Sequence, residues 1–263
     1  MRFWRIILLT LLSSLPAGAE ESALRTLQTG NDSRGWEAVG RLNLGDRGFC
    51  TGALIADDLV LTAAHCLFDK ETGARIDPTT IQFLAGWRNG RAAAYRGVTR
   101  AVAHPEYVYG GHENVERVAY DVALLKLDQP IRLPSIHPFS TEGKPATGDE
   151  VGVVSYALDR SEAPSLQQLC HVLDGRSGLL VLSCSVDFGS SGAPIFSFRD
   201  GQPRIVSVVS AKAEMSGQKV ALGTPLLETM TVLKSELNKN GARSGPSNVR
   251  ILSGGSGGKF LKP

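Results

Sequence analysis

Short apolar runs make up most of the chain from Trp36 onward, and they limit what it can fold into. The runs are rich in Val, Ile and Leu, as in LVLTAAH, EVGVVSYA and RIVSVVS, and Gly, Pro, Asp and Asn separate them. Many short strands at this spacing predict a β-sandwich or β-barrel. A sustained helical period occurs only before Gly241, and its apolar positions are Leu226, Met230 (or Thr229), Leu233 and Leu237. The pattern therefore predicts an all-β fold with one amphipathic C-terminal helix.

Composition changes along the chain and indicates its organisation. A Pro-rich stretch with little β pattern divides the β-rich region into two halves, and the end of the chain is rich in Gly and Ser. We expect a signal peptide (1–19), an N-terminal segment or short propeptide (20–35), a first β-barrel lobe (36–130), an interlobe linker (131–150), a second lobe with the helix (151–242) and a flexible tail (243–263).

The first residues have the pattern of an export signal. Arg2 and Arg5 precede an apolar run from Ile6 to Leu12, and Ala17-Gly18-Ala19 forms a small-residue cleavage site. A transmembrane anchor is the alternative, but the run is shorter than the ~20 apolar residues that span a bilayer. The pattern predicts cleavage after Ala19 and a secreted or periplasmic protein that is free of the membrane afterwards.

Charge and cysteine content exclude several classes of protein. The net charge of +2 gives no basic surface for nucleic acid, so we expect no such partner. Four cysteines in an exported chain predict disulfides. Local pairing of Cys50 with Cys66 and of Cys170 with Cys184 is the simplest of the three connectivities, and the spacings are not those of a zinc site. We expect a monomer with no metal and no cofactor.

The stretch SVDFGSSGAPIF contains a candidate nucleophile, Ser191, framed by small residues. A serine needs a general base, and the base needs an acid that orients it. His65 follows an apolar run and precedes Cys66, and Asp121 opens the apolar strand DVALLKL, where an unpaired acid would be costly. The plain alternatives are a structural histidine, a strand-capping aspartate and a Gly-Ser turn.

Three motifs in this order resemble those of the chymotrypsin-like (trypsin-like) serine proteases. They are TAAHC at 62–66, DVALL at 121–125 and GSSGAP at 189–194. The resemblance extends over about residues 36–240. It implies two antiparallel Greek-key six-stranded barrels and an exported serine endopeptidase that cleaves protein or peptide substrates. The alternative is a catalytically silent binding protein on the same fold, whereas an esterase would require the order Ser, Asp, His.

The resemblance also implies the roles of individual residues. Ser191 would attack the scissile carbonyl, His65 would act as general base and then as general acid, and Asp121 would hold the imidazole. The N–H groups of Gly189 and Ser191 would form the oxyanion hole. Ser207, in the run IVSVV, would be the cleft serine that supports the aspartate.

The sequence departs from the usual GDSGGP frame at Ser190. In the family, the acid at this position pairs with a newly cut N-terminal amine. Neither Arg25 nor Arg34 precedes Ile or Val, so we expect activity without such a cut. The GSSG frame resembles a bacterial branch that includes the glutamyl endopeptidases, and a disulfide between Cys170 and Cys184 is a candidate brace for the turn.

Four residues, Ser185, Val206, Ser207 and Val209, define a predicted specificity pocket. By resemblance, Ser185 lies at its base, where trypsin-like specificity requires an acid, and Val206 and Val209 form its walls. A cationic side chain would have no partner there. The pocket therefore predicts a graded preference for small or medium aliphatic residues before the scissile bond.

Overall fold

A computed structural model describes residues 21–110, 115–175 and 178–242. Within these ranges the chain forms thirteen strands, β1 to β13, and two α-helices, α1 and α2. The predicted signal peptide and the predicted tail lie outside the described residues.

The first six-stranded unit is a closed antiparallel barrel. Around the barrel, its six strands follow the order first, second, third, sixth, fifth and fourth. Buried Leu42, Leu61 and Leu124 are among the side chains that fill it. The strands are β2 (Val39–Asn43), β3 (Phe49–Ala56), β4 (Leu59–Thr62), β5 (Gln82–Ala85), β6 (Ala94–Ala103) and β7 (Ala123–Leu127).

The second six-stranded unit closes in the same order, because its first two strands also pair with each other. The prediction of two antiparallel six-stranded barrels is therefore confirmed, and both share one strand order although the sequence shows no fixed-period repeat. The strands are β8 (Glu150–Ser155), β9 (Ser165–Asp174), β10 (Leu180–Leu182), β11 (Pro194–Ser197), β12 (Arg204–Met215) and β13 (Gln218–Pro225).

A short strand near the N-terminus adds to the second barrel. β1 (Arg25–Thr26) pairs antiparallel with β9. The Ser22 N–H donates to the carbonyl of Leu169 at 3.0 Å, and the side-chain amide of Gln167 donates to the carbonyl of Ser22 at 3.2 Å. Leu27 is fully buried. The segment before the first barrel is thus packed onto the second.

The predicted C-terminal helix is present as α2 (Leu227–Ala242), and α1 (Val115–Val118) is a single turn. α2 packs on β6 and β7 of the first barrel, where Leu233 and Leu237 are buried and Arg100 Nη1 donates to the carbonyl of Leu237 at 2.9 Å. In the described part of the chain, no helix has the length and apolar character needed to cross a lipid bilayer.

An aromatic cluster fixes the two barrels to each other. The Trp36 ring lies 5.1 Å from that of Phe196 on β11 and 6.0 Å from that of Phe139 in the interlobe segment. Phe139 and Phe196 are themselves 4.8 Å apart with an edge-on geometry. Such rings bury large apolar areas and prefer tilted contacts. The cluster therefore packs the start of the first barrel against β11 of the second.

Two disulfides form the local pairs that the spacing predicts. Cys50 on β3 is bonded to Cys66, and Cys170 on β9 is bonded to Cys184. The first bond fixes the turn after β4. The second fixes the segment that follows β10. Each closed loop is about 15 residues long, for which restriction of the unfolded chain contributes about 3 kcal/mol.

Candidate active site

His65 lies on a short 3₁₀ turn, Ala64–Leu67, that follows β4. Its neighbour Cys66 is fixed by the disulfide to β3, so the backbone at His65 is held from both sides. The side chain is 19 % exposed. One face of the imidazole is therefore available to the cleft.

Asp121 precedes β7 and is buried with its carboxylate directed at His65. Oδ1 accepts the His65 backbone N–H at 2.8 Å, and Oδ2 lies 2.7 Å from Nδ1 of the imidazole. Burial opposes ionisation, but the charge and hydrogen bonds of His65, with the hydroxyl of Ser210, outweigh it and lower the pKa of Asp121. The carboxylate is therefore ionised at neutral pH and fixes the orientation of the ring.

Ser210, not Ser207, donates to Asp121. The Ser210 hydroxyl donates to Asp121 Oδ2, whereas the Ser207 hydroxyl donates to the carbonyl of Thr224 at 2.9 Å. The prediction for Ser207 is therefore wrong by three residues. Its physical cause is a bulge in β12, where the pairing with β13 shifts between Val209 and Ala211. The extra residue of a bulge is turned out of the regular alternation, and here that residue is Ser210.

Ser191 lies in a tight turn, residues 187–194, which we term the serine turn. Gly189 and Gly192 in it have φ of +96° and +75°, values that favour glycine. A Cβ on Gly192 would lie 2.1 Å from the Thr62 hydroxyl and 2.8 Å from the backbone nitrogen of Ala63. Ala63 is two residues before His65. The glycines thus let the serine turn contact the first barrel beside the histidine.

Thr51, on β3 of the first barrel, bonds to the serine turn and to Tyr156 of the second barrel. Its N–H donates to the carbonyl of Ser191 at 2.8 Å, and its hydroxyl donates to the carbonyl of Gly189 at 2.9 Å. The same hydroxyl accepts the Tyr156 N–H at 3.1 Å. Thr51 is fully buried. We did not single out this threonine from the sequence, because its partners are distant in the chain.

Two N–H groups of the serine turn are left free. Among the described residues, those of Gly189 and Ser191 donate no hydrogen bond, whereas that of Ser190 donates to the carbonyl of Asp187 and that of Gly192 to the carbonyl of Val209. Unpaired N–H groups are uncommon away from water. Two of them beside one serine form a site for a developing oxyanion.

The carbonyls of the same two peptide units are held. The Phe188 carbonyl accepts the Leu158 N–H at 2.8 Å, and the Ser190 carbonyl accepts the Ala193 N–H at 2.9 Å. A trans peptide directs its N–H opposite to its carbonyl. Fixing the two carbonyls therefore fixes the directions of the free N–H groups of Gly189 and Ser191.

The structure brings the backbone of Ser191 beside His65 without bonding their side chains. Ser191 is partly exposed. In the described ranges, no hydrogen bond joins its hydroxyl to the imidazole, although the two segments touch through Gly192 and Ala63. Catalytic hydrogen bonds are often long in structures without substrate.

The predicted specificity pocket is only partly assembled. Ser185 is exposed, and its N–H donates to the side chain of Gln167 at 2.7 Å. Val206 and Val209 are buried in the core of the second barrel instead of lining an open wall. Both valines were assigned from an alignment that placed Ser207 next to Asp121. Because Ser210 takes that place, the predicted wall residues also shift by three positions along β12.

Lys212 lies on β12, two residues beyond Ser210. Its ammonium group pairs with Asp187 at 2.8 Å and lies 4.0 Å from the centre of the exposed Phe188 ring. This pairing, with the Phe188 N–H, lowers the pKa of Asp187. Lys212 thus contacts the first two residues of the serine turn, a contact that the sequence interpretation did not include.

One group of potential metal ligands lies next to the site. Cys50, His65 and Cys66 place ligand atoms within 4.8 Å of one another. The two sulfurs are bonded to each other. Cysteine binds a metal ion as the thiolate, and two sulfurs joined in a disulfide are not thiolates, so this group does not form a metal site.

Comparison with known families agrees with this arrangement. Residues 50–204, more than half of the chain, match the family described as "Trypsin-like peptidase domain". The chain belongs to this trypsin-like peptidase family, as its motifs predicted.

Individual relatives match parts of the chain. "Serine protease 23" of Mus musculus is 28 % identical over 163 residues, which are 56 % of this chain and 42 % of that protein. "Modular serine protease" of Drosophila melanogaster is 34 % identical over 89 residues, which are 33 % of this chain and 14 % of that protein. The chain thus spans less than half the length of these curated relatives.

A solved structure resembles almost the whole described chain. It is "Structure of Glu endopeptidase in complex with MPD", with a TM-score of 0.66 and 18 % identity, covering 85 % of this chain and 98 % of that one. At this identity the likeness shows the fold, two barrels with a C-terminal helix.

Proposed function

We propose that the protein is an exported serine endopeptidase that uses His65, Asp121 and Ser191. The observation that carries the proposal is the pair of free N–H groups, on Gly189 and Ser191, beside a serine and a buried His–Asp pair. Gly189 and Ser191 are partly exposed, so both donors are accessible to a substrate oxygen.

The proposed reaction forms and then hydrolyses an acyl-enzyme. Ser191 Oγ attacks the scissile carbonyl while His65 Nε2 takes its proton, and the imidazolium then protonates the leaving amine. Asp121 stays ionised and stabilises the imidazolium. The N–H groups of Gly189 and Ser191 donate to the oxyanion. Water attacks the ester by the same steps and releases the acid.

A catalytically silent binding protein is the second candidate. The missing hydrogen bond between Ser191 and His65 favours it, as does the neutral Ser190. A fluorophosphonate probe separates the two, because it reacts only with an activated serine. We expect the purified protein to be labelled at Ser191, with the Ser191→Ala variant unlabelled. A folded wild-type protein that stays unlabelled and cleaves no peptide would support the silent protein.

The preference for small or medium aliphatic residues before the scissile bond stays a proposal. Ser185 offers no countercharge to Arg or Lys, and the ammonium group of Lys212 beside the serine turn adds repulsion. A peptide library dominated by cleavage after Arg or Lys would refute the pocket. Dominance of Asp or Glu would instead show that Lys212 governs the choice.

Export and domain organisation complete the proposal. Both disulfides fit an oxidising compartment, and with the leader pattern of residues 1–19 they support a secreted or periplasmic location. We further propose lobe boundaries at 36–130 and 151–242, a monomeric state and activity without cutting at Arg25 or Arg34. Mass spectrometry of the labelled, exported protein tests two points together: cleavage after Ala19, and activity without cutting at Arg25 or Arg34.

A further inference from the structure

Arg160 is a largely buried cation whose acid partner is exposed. Its side chain is 11 % exposed, and Nη1 lies 3.1 Å from Asp159 Oδ1, whose side chain is 73 % exposed. Arg160 Nε is buried and has no partner in the part of the chain that the structure describes. A buried charge is costly unless it is paired and hydrogen-bonded. The exposed aspartate compensates little of this cost, because water screens it.

The buried side of the guanidinium faces the serine turn. Arg160 Nη2 lies 3.2 Å from the Ser155 hydroxyl and 3.5 Å from the Ser190 hydroxyl. Both serines are fully buried, and their hydroxyls are 3.2 Å apart. Ser190 Oγ also accepts the Asp187 N–H at 3.3 Å. The guanidinium therefore contacts Ser190, the residue directly before Ser191, both directly and through Ser155, and Ser190 Oγ also donates to the carbonyl of Tyr156 at 3.2 Å.

The backbone that carries Arg160 contacts the same turn. Arg160 ends a 3₁₀ turn, Leu158–Arg160, and the Leu158 N–H donates to the carbonyl of Phe188. This bond sets the direction of the free Gly189 N–H. The side chain and the backbone of one short segment thus hold the serine turn at Ser190 and at Phe188.

We propose that Arg160 is a positioning residue that keeps the free N–H groups of Gly189 and Ser191 directed at the cleft. It acts through Ser190 and the Leu158–Arg160 turn and does not contact substrate. The guanidinium of Arg160 thereby places a positive charge next to Ser190, and no N-terminal amine from a cut chain is needed there. The inference rests on the proposed peptidase function, since it concerns the oxyanion site of that reaction.

The first test removes the guanidinium. Arg160→Met keeps the length and apolar stem, and we expect kcat to fall about 100-fold, the size of losing one oxyanion donor, with KM within about twofold. Arg160→Lys keeps the charge and should recover part of kcat. Arg132→Met is the matched control, because Arg132 also pairs with an aspartate but is 76 % exposed, and it should leave both constants unchanged.

The second test introduces an acid that needs the cation. Ser190→Asp should keep kcat within about tenfold of the wild type, because its carboxylate gains a charge-assisted bond from Arg160. If the two changes acted independently, the fold-losses in kcat of the single variants would multiply. The kcat of the double variant Ser190→Asp/Arg160→Met should be at least about tenfold lower than that, since the buried acid is then unpaired.

Each outcome decides the inference. Wild-type kcat in Arg160→Met, or an effect of Ser190→Asp that is independent of Arg160, overturns the role of Arg160 and leaves the peptidase function intact. If Arg160→Met does not fold, Arg160→Gln, which removes the charge but keeps a polar side chain, decides: a lower kcat at an unchanged unfolding midpoint supports the role, and wild-type kcat overturns it. A wild-type protein without labelling or hydrolysis overturns both proposals.

Discussion

The two barrels hold their shares of the site by different means. In the first barrel, His65 and Asp121 bond directly to each other, through a side chain and through the backbone. In the second barrel, Ser191 has no such partner, and its turn is held by Thr51 from the other barrel and by the Leu158–Arg160 turn. The acid–base pair therefore takes one side-chain hydrogen bond, from Ser210, from the second barrel, whereas the geometry of the serine turn depends more widely on how the barrels pack.

The largest effect should come from removing the serine itself. Ser191→Ala should lower kcat by about 10⁶-fold, as loss of the nucleophile does in subtilisin-type triads, with the unfolding midpoint unchanged. Steady-state peptide hydrolysis measures the loss. Ser135→Ala, at an exposed serine of the interlobe segment, is the control. If Ser191→Ala hydrolysed peptides at nearly the wild-type rate, Ser191 would not be the nucleophile and the second barrel would not supply it.

The acid–base pair of the first barrel should be the next most sensitive part. Asp121→Asn keeps the size of the side chain but offers an amide to His65 Nδ1, which selects the wrong tautomer. We expect kcat to fall about 10⁴-fold, the effect known for this change in trypsin-like triads. An unchanged rate would mean that the pair is structural. Asp128→Asn, at an aspartate outside the pair, should leave kcat unchanged.

The link between the barrels through Asp121 should have a smaller effect. Ser210→Ala should lower kcat about tenfold, because a hydrogen bond to a charged group contributes about 1.5 kcal/mol. Ser207→Ala is the matched control, since its hydroxyl bonds to Thr224 instead, and it should leave kcat near the wild-type value. Equal effects of the two variants would return the role to Ser207.

The variants Ser210→Ala and Ser207→Ala also test how stability depends on pH. The pKa of Asp121 in the folded protein is below that of a solvated aspartate, because the charge and hydrogen bonds of His65 and the hydroxyl of Ser210 outweigh desolvation. Its contribution to stability is therefore complete above the unfolded pKa and is lost as the pH falls through the folded pKa. Ser210→Ala removes a bond that lowers this pKa, so acid unfolding should begin at a higher pH. Circular dichroism during acid titration measures the onset, which Ser207→Ala should not move.

The smallest effect on rate should follow from loosening the serine turn at Thr51. Thr51→Val keeps the shape but leaves the Gly189 carbonyl and the Tyr156 N–H unpaired, which should cost about 1–3 kcal/mol of stability and lower kcat severalfold. Thr99→Val is the control, because that exposed hydroxyl bonds to the carbonyl of Lys126 and water can replace it. Denaturant unfolding measures both variants. Equal, small losses would mean that Thr51 only fills space.

The sequence predicted those parts of the molecule that depend on local pattern. The short apolar runs indicated barrels, the close cysteine spacing indicated the disulfides, and three motifs indicated His65, Asp121 and Ser191. Ser210 could not be predicted, because a bulge changes which side chain faces Asp121 without leaving a pattern in an apolar strand. Arg160 and Thr51 acquire their partners through contacts between segments that are distant in sequence.

The pairing of β1 with β9 also has a kinetic consequence. Ser22 and Leu169 are hydrogen-bonded although they are 147 positions apart in the chain. Loop-closure entropy opposes such long-range contacts, and folding slows as their share of all contacts rises. β1, the first strand in the described part of the chain, must therefore wait until the first barrel and the first two strands of the second have been synthesised. Until it docks, the edge of β9 is open to pairing with another chain, so refolding yield should decrease as protein concentration increases.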